Sequence, residues 1–228
     1  MAATLNMQSQ VLQDIGRYDE AIERQEASLA MKRERGDEEG QAISLHQLSM
    51  LYMLKEDYPA ALARSGEAEA LDRKLGDQAG LAADLHEQGL VYNRMARAAA
   101  SDAEAGRYRQ AAFDRFTEIL AISRRIGDEA GAADSLTELA RILMGSERYR
   151  EAIEFINEGL EIRERLGLKA KIGISLEFLG SVHERQGQLA AALEKYGQAL
   201  ELFKRYSHAA DVADTERHIA RVRGKLGR

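Results

Sequence analysis

The chain has 228 residues, of which 45% are apolar, no cysteine, and a formal net charge of -6. The lack of cysteine excludes disulfides and thiolate metal sites, and the acidic balance argues against a nucleic-acid binder, which needs a basic surface. No apolar run approaches the ~18 residues that span a bilayer, and no signal segment opens the chain. We therefore expect a soluble cytoplasmic protein that binds neither nucleic acid nor a membrane.

A Gly-Asp pair recurs at positions 36–37, 76–77 and 127–128, and Gly167 follows, so that the glycines are spaced by 40, 51 and 40 residues. A fixed period in this range is typical of stacked repeats. Each unit of such an array contacts its neighbours, so we expect one elongated domain over residues 1–228. The predicted units are residues 1–36, 37–76, 77–127, 128–167 and 168–207, followed by a capping helix at 209–226.

Each unit is predicted to contain two helices, as residues 37–76 illustrate. Apolar residues recur at helical spacing in the first half, and Pro59 falls in the first turn of a second helix, where its missing N–H costs nothing. Gly76 ends that helix as a left-handed cap residue, and Asp77 caps the helix that follows. At the last junction Leu168 replaces the aspartate, which weakens that cap.

The first helix of the chain is predicted to be polar, because an end repeat has one uncovered face. The last segment is a further helix of the first type, and it also resembles a cap. The polar residues of the first helix are Asn6, Gln8, Ser9, Gln10 and Gln13.

The third unit is longer than its neighbours by 11 residues. The extra segment is rich in alanine and favours lengthened helices over a loop. Ser101 with Glu104 resembles a capping box, which places the hairpin tip at Ser101; the rival tip is Gly106. The insertion is either a protruding contact arm or a neutral lengthened hairpin.

Small and apolar residues recur in columns from unit to unit. One column of the first helix holds Leu45, Leu85, Leu136 and Leu176, and a column of the second helix holds Ala21, Ala61, Ala112, Ala152 and Ala192. This spacing resembles the tetratricopeptide repeat, whose signature is W-x2-L-G-x2-Y, then A-x3-F, then P, with the leucines in the Trp column. The Gly column holds Ser49, Gly89, Ala140 and Gly180, which we attribute to close approach of the two helices. The closing Pro is absent, so the second helix can continue, as in the long repeats of kinesin light chains, spindle-orientation adaptors and bacterial signalling and regulator proteins.

The resemblance implies an all-α fold, namely an α-α superhelix (a right-handed solenoid) of about five helix-turn-helix repeats plus a C-terminal capping helix. Such arrays bind peptides or partner proteins, or sense a ligand, and their first helices line a concave groove. The groove residues implied here are Ile43, His46, Met50, Met53, Leu54, His86, Leu90, Asn93, Arg94, Glu138, Arg141, Glu177, Phe178 and Arg185.

Five of these residues, Ile43, Met50, Met53, Leu54 and Leu90, would form an apolar surface that we call the repeat-two patch. Exposed apolar patches mark contacts, and methionine adapts to varied shapes. The repeat-two patch therefore predicts a helical or extended peptide ligand with apolar anchors. The alternative is that adjacent helices cover these side chains.

Arginines also recur along the expected groove, and they suggest a basic row for an acidic peptide. Glutamates lie among them, so we expect a solvated face of mixed charge. The carboxylate clamp of some tetratricopeptide co-chaperones is not reproduced, and we predict no chaperone-tail binding. The arginines are Arg94, Arg141, Arg185, Arg217 and Arg221.

His46 and His86 occupy equivalent positions one repeat apart, which raises a metal hypothesis. Packed helices lie ~10 Å apart, too far for two imidazoles to share an ion easily, and no third ligand is evident, so we predict no metal. The sequence has no phosphate-binding glycine loop, G-x-S-x-G or H-E-x-x-H motif. Because the acidic residues are expected to be solvated on helix exteriors, we predict no catalysis and no cofactor.

The favoured function is a non-enzymatic scaffold or adaptor that binds a peptide or partner protein in the groove. The alternative is a regulatory sensor module of a larger bacterial-type signalling or transcription-regulating protein. RNA binding by helical repeats is disfavoured by the acidic balance. Self-association, in which a copy of the chain fills the groove, is a further candidate.

Overall fold

The computed structural model describes residues 2–206 and 209–227, apart from the side chain of Ala3. Over these residues the chain forms eleven α-helices and no strand, which confirms the all-α prediction of paired helices. The helices are α1 Ala2–Asp14, α2 Tyr18–Glu34, α3 Glu38–Leu54, α4 Tyr58–Leu75, α5 Gln78–Ala98, α6 Asp102–Ile126, α7 Glu129–Gly145, α8 Tyr149–Arg165, α9 Lys169–Arg185, α10 Leu189–Tyr206 and α11 Ala209–Leu226.

The chain divides into two compact units, Met1–Ile122 and Ser123–Arg228, with the boundary inside α6. In the first unit consecutive helices from α1 to α5 pack against one another, and in the second unit α7 to α11 do the same. Apolar residues of successive helices form the core of each unit. The expectation of a single domain over residues 1–228 stays a prediction.

The helix starts follow the predicted capping chemistry. Asp37 accepts a hydrogen bond from the N–H of Gly40 at 2.9 Å, and Asp77 accepts from the N–H groups of Ala79 and Gly80 at 3.0 Å. Gly76 has a φ of 75°, a left-handed conformation that costs glycine little. Leu168 makes no side-chain cap bond, as its chemistry dictates.

Close approach of the helices within a pair explains the column of small residues. A Cβ added to Gly89 would lie 2.6 Å from the Phe116 ring, and one added to Gly180 would lie 2.7 Å from the Tyr196 ring. At the same column Ser49 donates to the carbonyl of Ala61 at 2.9 Å. The packing interpretation of this column is confirmed.

The long hairpin of the third repeat, residues 77–127, turns at Ser101. The N–H of Glu104 donates to Ser101 Oγ at 3.2 Å, and Glu104 in turn accepts from the N–H of Ala100 at 3.1 Å. This is the predicted pairing of Ser101 with Glu104, a capping box in which Glu104 reaches the N–H of Ala100 rather than that of Ser101, and it decides against Gly106, which lies inside α6. Tyr108 stacks on Tyr92 with ring centroids 6.5 Å apart, which ties the lengthened helices together.

The expectation of a polar first helix is only partly right. Ser9 is buried and donates to the carbonyl of Ala21 at 2.9 Å, so it serves packing rather than solvation. Met7 and Val11 are instead 72% and 61% exposed. Gln8 and Gln10 are exposed as expected, and the prediction is wrong at Ser9, Met7 and Val11 because the sequence alone does not show which face of α1 meets α2.

Candidate functional site

The repeat-two patch is exposed at two of its five members. Ile43 is 55% exposed and Leu54 is 39% exposed, and they lie eleven residues apart on α3, on one helical face with the half-buried Met50. Leu90 of α5 is partly buried against a core cluster. Met53 is a correction: it is 8% exposed and packs with Ala61 and Val91 in that cluster, because α4 and α5 cover it.

The two histidines of the expected groove play different structural parts. His46 binds through Nδ1 to Asp84 Oδ1 at 2.8 Å, and this hydrogen bond raises the pKa of the imidazole. His86 is exposed and meets the Phe116 ring edge-on at a centroid distance of 5.6 Å. Each imidazole therefore has its own partner within the first unit.

The remaining groove residues of the first unit are Asn93, which is half-buried, and Arg94, which is exposed. Arg94 lies near Glu87, a residue that is 5% exposed and has no partner at Oε1 among the described residues. Burial raises the pKa of Glu87, and the positive charges of His46 and Arg94 oppose that rise.

In the second unit three of the predicted groove residues, Glu138, Arg141 and Phe178, interact with one another. Arg141 lies 3.4 Å from Glu138 and stacks over the Phe178 ring, 5.0 Å from its centroid. Glu177 accepts from Thr215 Oγ1 at 3.0 Å, and burial raises its pKa. Arg185 is exposed at the end of α9.

Three of the five arginines of the expected basic row, Arg141, Arg217 and Arg221, pair with carboxylates. Besides the Arg141 pair, Arg217 binds Asp214, and Arg221 makes two hydrogen bonds of 2.7 and 2.8 Å to Glu184. Glu184 also accepts from Lys225 at 2.7 Å and from the Tyr196 hydroxyl at 3.1 Å. The Arg221 hydrogen bond, with those of Lys225 and Tyr196, lowers the pKa of Glu184 to about 2.

A cleft between α3, α4 and α5 was not anticipated from the sequence. It encloses about 500 Å³, and we call it the acidic cleft because its ionisable lining consists of Glu39, His46, Asp72, Asp77 and Asp84. Asp72 and Asp84 are 5% and 1% exposed, contrary to the expectation that the acidic residues are solvated. They were missed because they lie on different helices, and each alone resembles a surface aspartate.

Two of the carboxyl groups that line the acidic cleft, those of Asp72 and Asp84, interact with each other. Burial and the neighbouring charges of Asp84 and Asp77 raise the pKa of Asp72 to about 6, and burial also raises the pKa of Asp84. Asp72 and Asp84 are close enough to hydrogen-bond when one is protonated. When Asp72 is ionised, Asp84 Oδ2 has no donor among the described residues.

Comparison with known families identifies the repeat. Models described as tetratricopeptide repeat match residues 1–74, 132–166 and 175–210, which together exceed half of the chain. The chain is a tetratricopeptide repeat protein. No curated protein matches its sequence.

Solved structures share the fold of this tetratricopeptide repeat protein at low identity. BtubC (BKLC) from P. vanneervenii is 20% identical over 91% of this chain and 85% of that chain, with a TM-score of 0.72. A putative kinesin light chain from Podosopora anserina with nearly identical TPR-like repeats is 19% identical over 90% and 97%, with a TM-score of 0.71. A signal transduction ATPase with a tetratricopeptide repeat sensor from Pyrococcus horikoshii is 16% identical over 95% of this chain and 31% of that chain, with a TM-score of 0.74.

The described helices of this tetratricopeptide repeat protein include none that is both long and apolar enough to cross a membrane. Over the same residues, no three or more His, Asp or Glu side chains are grouped in a way that could hold a metal ion. The acidic cleft and the exposed members of the repeat-two patch, both in the first unit, are therefore the features that call for a functional explanation.

Proposed function

We propose that this tetratricopeptide repeat protein is a non-enzymatic interaction scaffold that binds a peptide or a partner protein at the repeat-two patch. The observation that carries the proposal is the exposure of Ile43 and Leu54, at 55% and 39%, on one face of α3. An exposed apolar face on a first helix offers anchor sites at the spacing that an amphipathic helix or extended peptide uses.

Polar groups beside the patch supply the rest of the proposed contact surface. In the first unit, His86, Asn93 and Arg94 are exposed or half-buried. Apolar anchors with polar groups around them are the usual composition of a protein-binding site.

The proposal is tested by affinity capture from a lysate of the source organism, followed by mass spectrometry. The test variant is Ile43→Glu with Leu54→Glu, which places charge on the patch at exposed positions. The control is Ile126→Glu with Leu166→Glu, since these side chains are 52% and 40% exposed in the second unit. All proteins must first show equal helicity by circular dichroism.

A partner that wild type and control retain, and that the test variant loses, supports the proposal. Equal retention by all three proteins places the contact elsewhere and contradicts it. Sedimentation of the purified wild type identifies the case in which the retained partner is a second copy of the chain.

A second candidate is a sensor module of a larger signalling protein, in which binding at the patch changes the conformation of other parts of that protein. The likeness to the ATPase with a tetratricopeptide repeat sensor favours considering it. Hydrogen exchange with and without the captured partner separates the two functions. Protection confined to α3 and α5 favours the scaffold, whereas altered exchange across helices far from the patch favours the sensor.

A further inference from the structure

Repeat alignment sets the acidic cleft apart from the equivalent places in the other repeats. Four residues before each junction glycine stand Lys32, Asp72, Ser123 and Arg163, and eight residues after it stand Ser44, Asp84, Ser135 and Ser175. Lys32 Nζ donates to Ser44 Oγ at 2.7 Å, and an Arg163 nitrogen donates to Ser175 Oγ at 2.6 Å. Two of these junctions therefore hold a cation of the chain itself, one holds two serines, and only the α4–α5 junction among them holds two acids.

The guanidinium of Arg163 shows what the scaffold accommodates at this position. Arg163 is 3% exposed and donates to the Ala133 carbonyl, Asp134 Oδ1 and Thr137 Oγ1 at 3.1, 2.9 and 2.8 Å, in addition to Ser175. A planar group with several donors thus fits between the second helix of one repeat and the first helices on either side.

At the α4–α5 junction Asp72 and Asp84 supply acceptors, although Ile43 and His46 stand at the columns of Asp134 and Thr137, and no guanidinium of the described residues donates to Asp84 Oδ2. Asp84 is 1% exposed, lines the acidic cleft, and has an Oδ2 without a donor when Asp72 is ionised. The Asp72 carboxyl lies directly over Gly80, because a Cβ added there would approach its Oδ2 to 2.2 Å. Any side chain larger than glycine at this position would displace the carboxyl.

The charge of the cleft is also unbalanced. Of the four acidic residues that line it, Asp72 and Asp84 are buried and Glu39 and Asp77 are exposed, and His46 is the single basic group in that lining. Buried charges are normally paired, because an unpaired charge pays the full cost of desolvation. A ligand that brings positive charge would relieve this imbalance.

Part of the cleft lining is aliphatic. It includes Ile43 of α3 and Leu75 of α4, which are 55% and 39% exposed, whereas Asp72 and Asp84 are buried, and Ile43 also belongs to the repeat-two patch. A ligand with an alkyl stem and a cationic head matches exposed aliphatic groups beside buried acids. Because Ile43 is shared, such a side chain can enter from a partner bound on the patch.

We propose that the acidic cleft binds an alkyl-guanidinium group, the head of an arginine side chain, through Asp72 and Asp84. This inference rests on the proposed function where the arginine belongs to a bound protein or peptide. The same chemistry is offered by a small guanidinium compound such as agmatine, and the experiment distinguishes the two sources.

The test is a nuclear magnetic resonance titration of the isotopically labelled full chain with N-acetyl-L-arginine amide. The neutral control ligand is N-acetyl-L-citrulline amide, which has nearly the same shape. We expect saturable shifts at the Gly80 and Ala83 amides and at the His46 ring with the arginine compound, and at least about tenfold weaker binding of the citrulline compound. Equal binding of the two compounds, or shifts confined to other regions, overturns the proposal.

Two variants test the assigned carboxyl groups. Asp84→Asn should weaken arginine binding at least about tenfold, whereas Glu201→Gln, an equal charge change at an exposed position of α10, should not. Asp72→Arg with Asp84→Ser copies the Arg163–Ser175 pair, so it should stay folded and bind no arginine compound. Retained binding in this double variant contradicts the proposal even if Asp84→Asn fails to fold.

The source of the guanidinium follows from a third ligand, N-acetylagmatine, which has the same single charge but no second backbone amide. Tighter binding of N-acetyl-L-arginine amide supports an arginine within a chain, and tighter binding of N-acetylagmatine supports a small molecule. If a partner is captured through the patch but neither compound binds, this inference fails and the proposed function stands. If the compounds bind but no partner depends on the patch, the proposed function fails and the guanidinium site stands.

Discussion

The α4–α5 junction of the first unit and the α8–α9 junction of the second unit occupy the same position in the repeat but have opposite chemistry. Arg163 fills the second with a buried guanidinium that satisfies four acceptors. Asp72 and Asp84 face each other at the first, where burial and the charge of Asp84 raise the pKa of Asp72, and burial raises the pKa of Asp84. The backbone of a repeat thus fixes where a polar group is buried and leaves its charge free to vary.

The comparison predicts the largest loss of stability at Arg163. Arg163→Ala leaves Thr137 and Ser175 without their donor and opens a cavity, so we expect the free energy of unfolding to fall by about 3 kcal/mol. Urea unfolding followed by circular dichroism measures it. The control is Arg165→Ala, an exposed residue paired with Glu129, which should cost less than about 1 kcal/mol. Equal losses would mean that the buried guanidinium contributes nothing beyond a surface pair.

Replacing Asp72 is expected to raise the free energy of unfolding near neutral pH, whereas replacing Arg163 lowers it. Its pKa of about 6 exceeds that of an unfolded aspartate, so its stabilising contribution is present below about pH 4 and is lost as the pH rises through about 6. Asp72→Asn should therefore exceed wild type in unfolding free energy by about 2 kcal/mol near pH 7.5. Near pH 4 the two should differ little, and a difference independent of pH would contradict the account.

Lys32 gives the smallest expected effect of the three equivalent positions. It donates one hydrogen bond to a neutral hydroxyl, Ser44 Oγ, and burial lowers the pKa of its ammonium group. Lys32→Met should keep the aliphatic packing and change the unfolding free energy by about 1 kcal/mol or less. Chemical unfolding measures it, and a loss as large as that of Arg163→Ala would show that charge does not set the order of these sites.

Local patterns in the sequence predicted much of the fold because they depend on neighbouring residues. The Ser101 capping box, the Asp77 cap and the packing role of Gly89 each follow from a short motif or a repeated column. The long hairpin also turns where the motif placed it, at Ser101.

Burial was harder to predict, because it depends on which helices cover a face. Met53 lies at helical spacing from Met50 but is covered, and the acid pair was missed although Asp84 replaces a serine found at the same column of the other aligned repeats. Comparing columns for a change of charge, rather than for apolar residues alone, would have revealed it.

The most direct test of the central claim is the affinity of the wild-type chain for N-acetyl-L-arginine amide as a function of pH. The groups that face the cleft or lie beside it are Glu39 and His46 of α3, Asp72 of α4, Asp77 at the start of α5, and Asp84 and Glu87 of α5. Near pH 5 Asp72 is protonated and His46, whose pKa is raised, keeps its positive charge. The account predicts binding about fivefold weaker near pH 5 than near pH 7.5, and equal or tighter binding near pH 5 would contradict it.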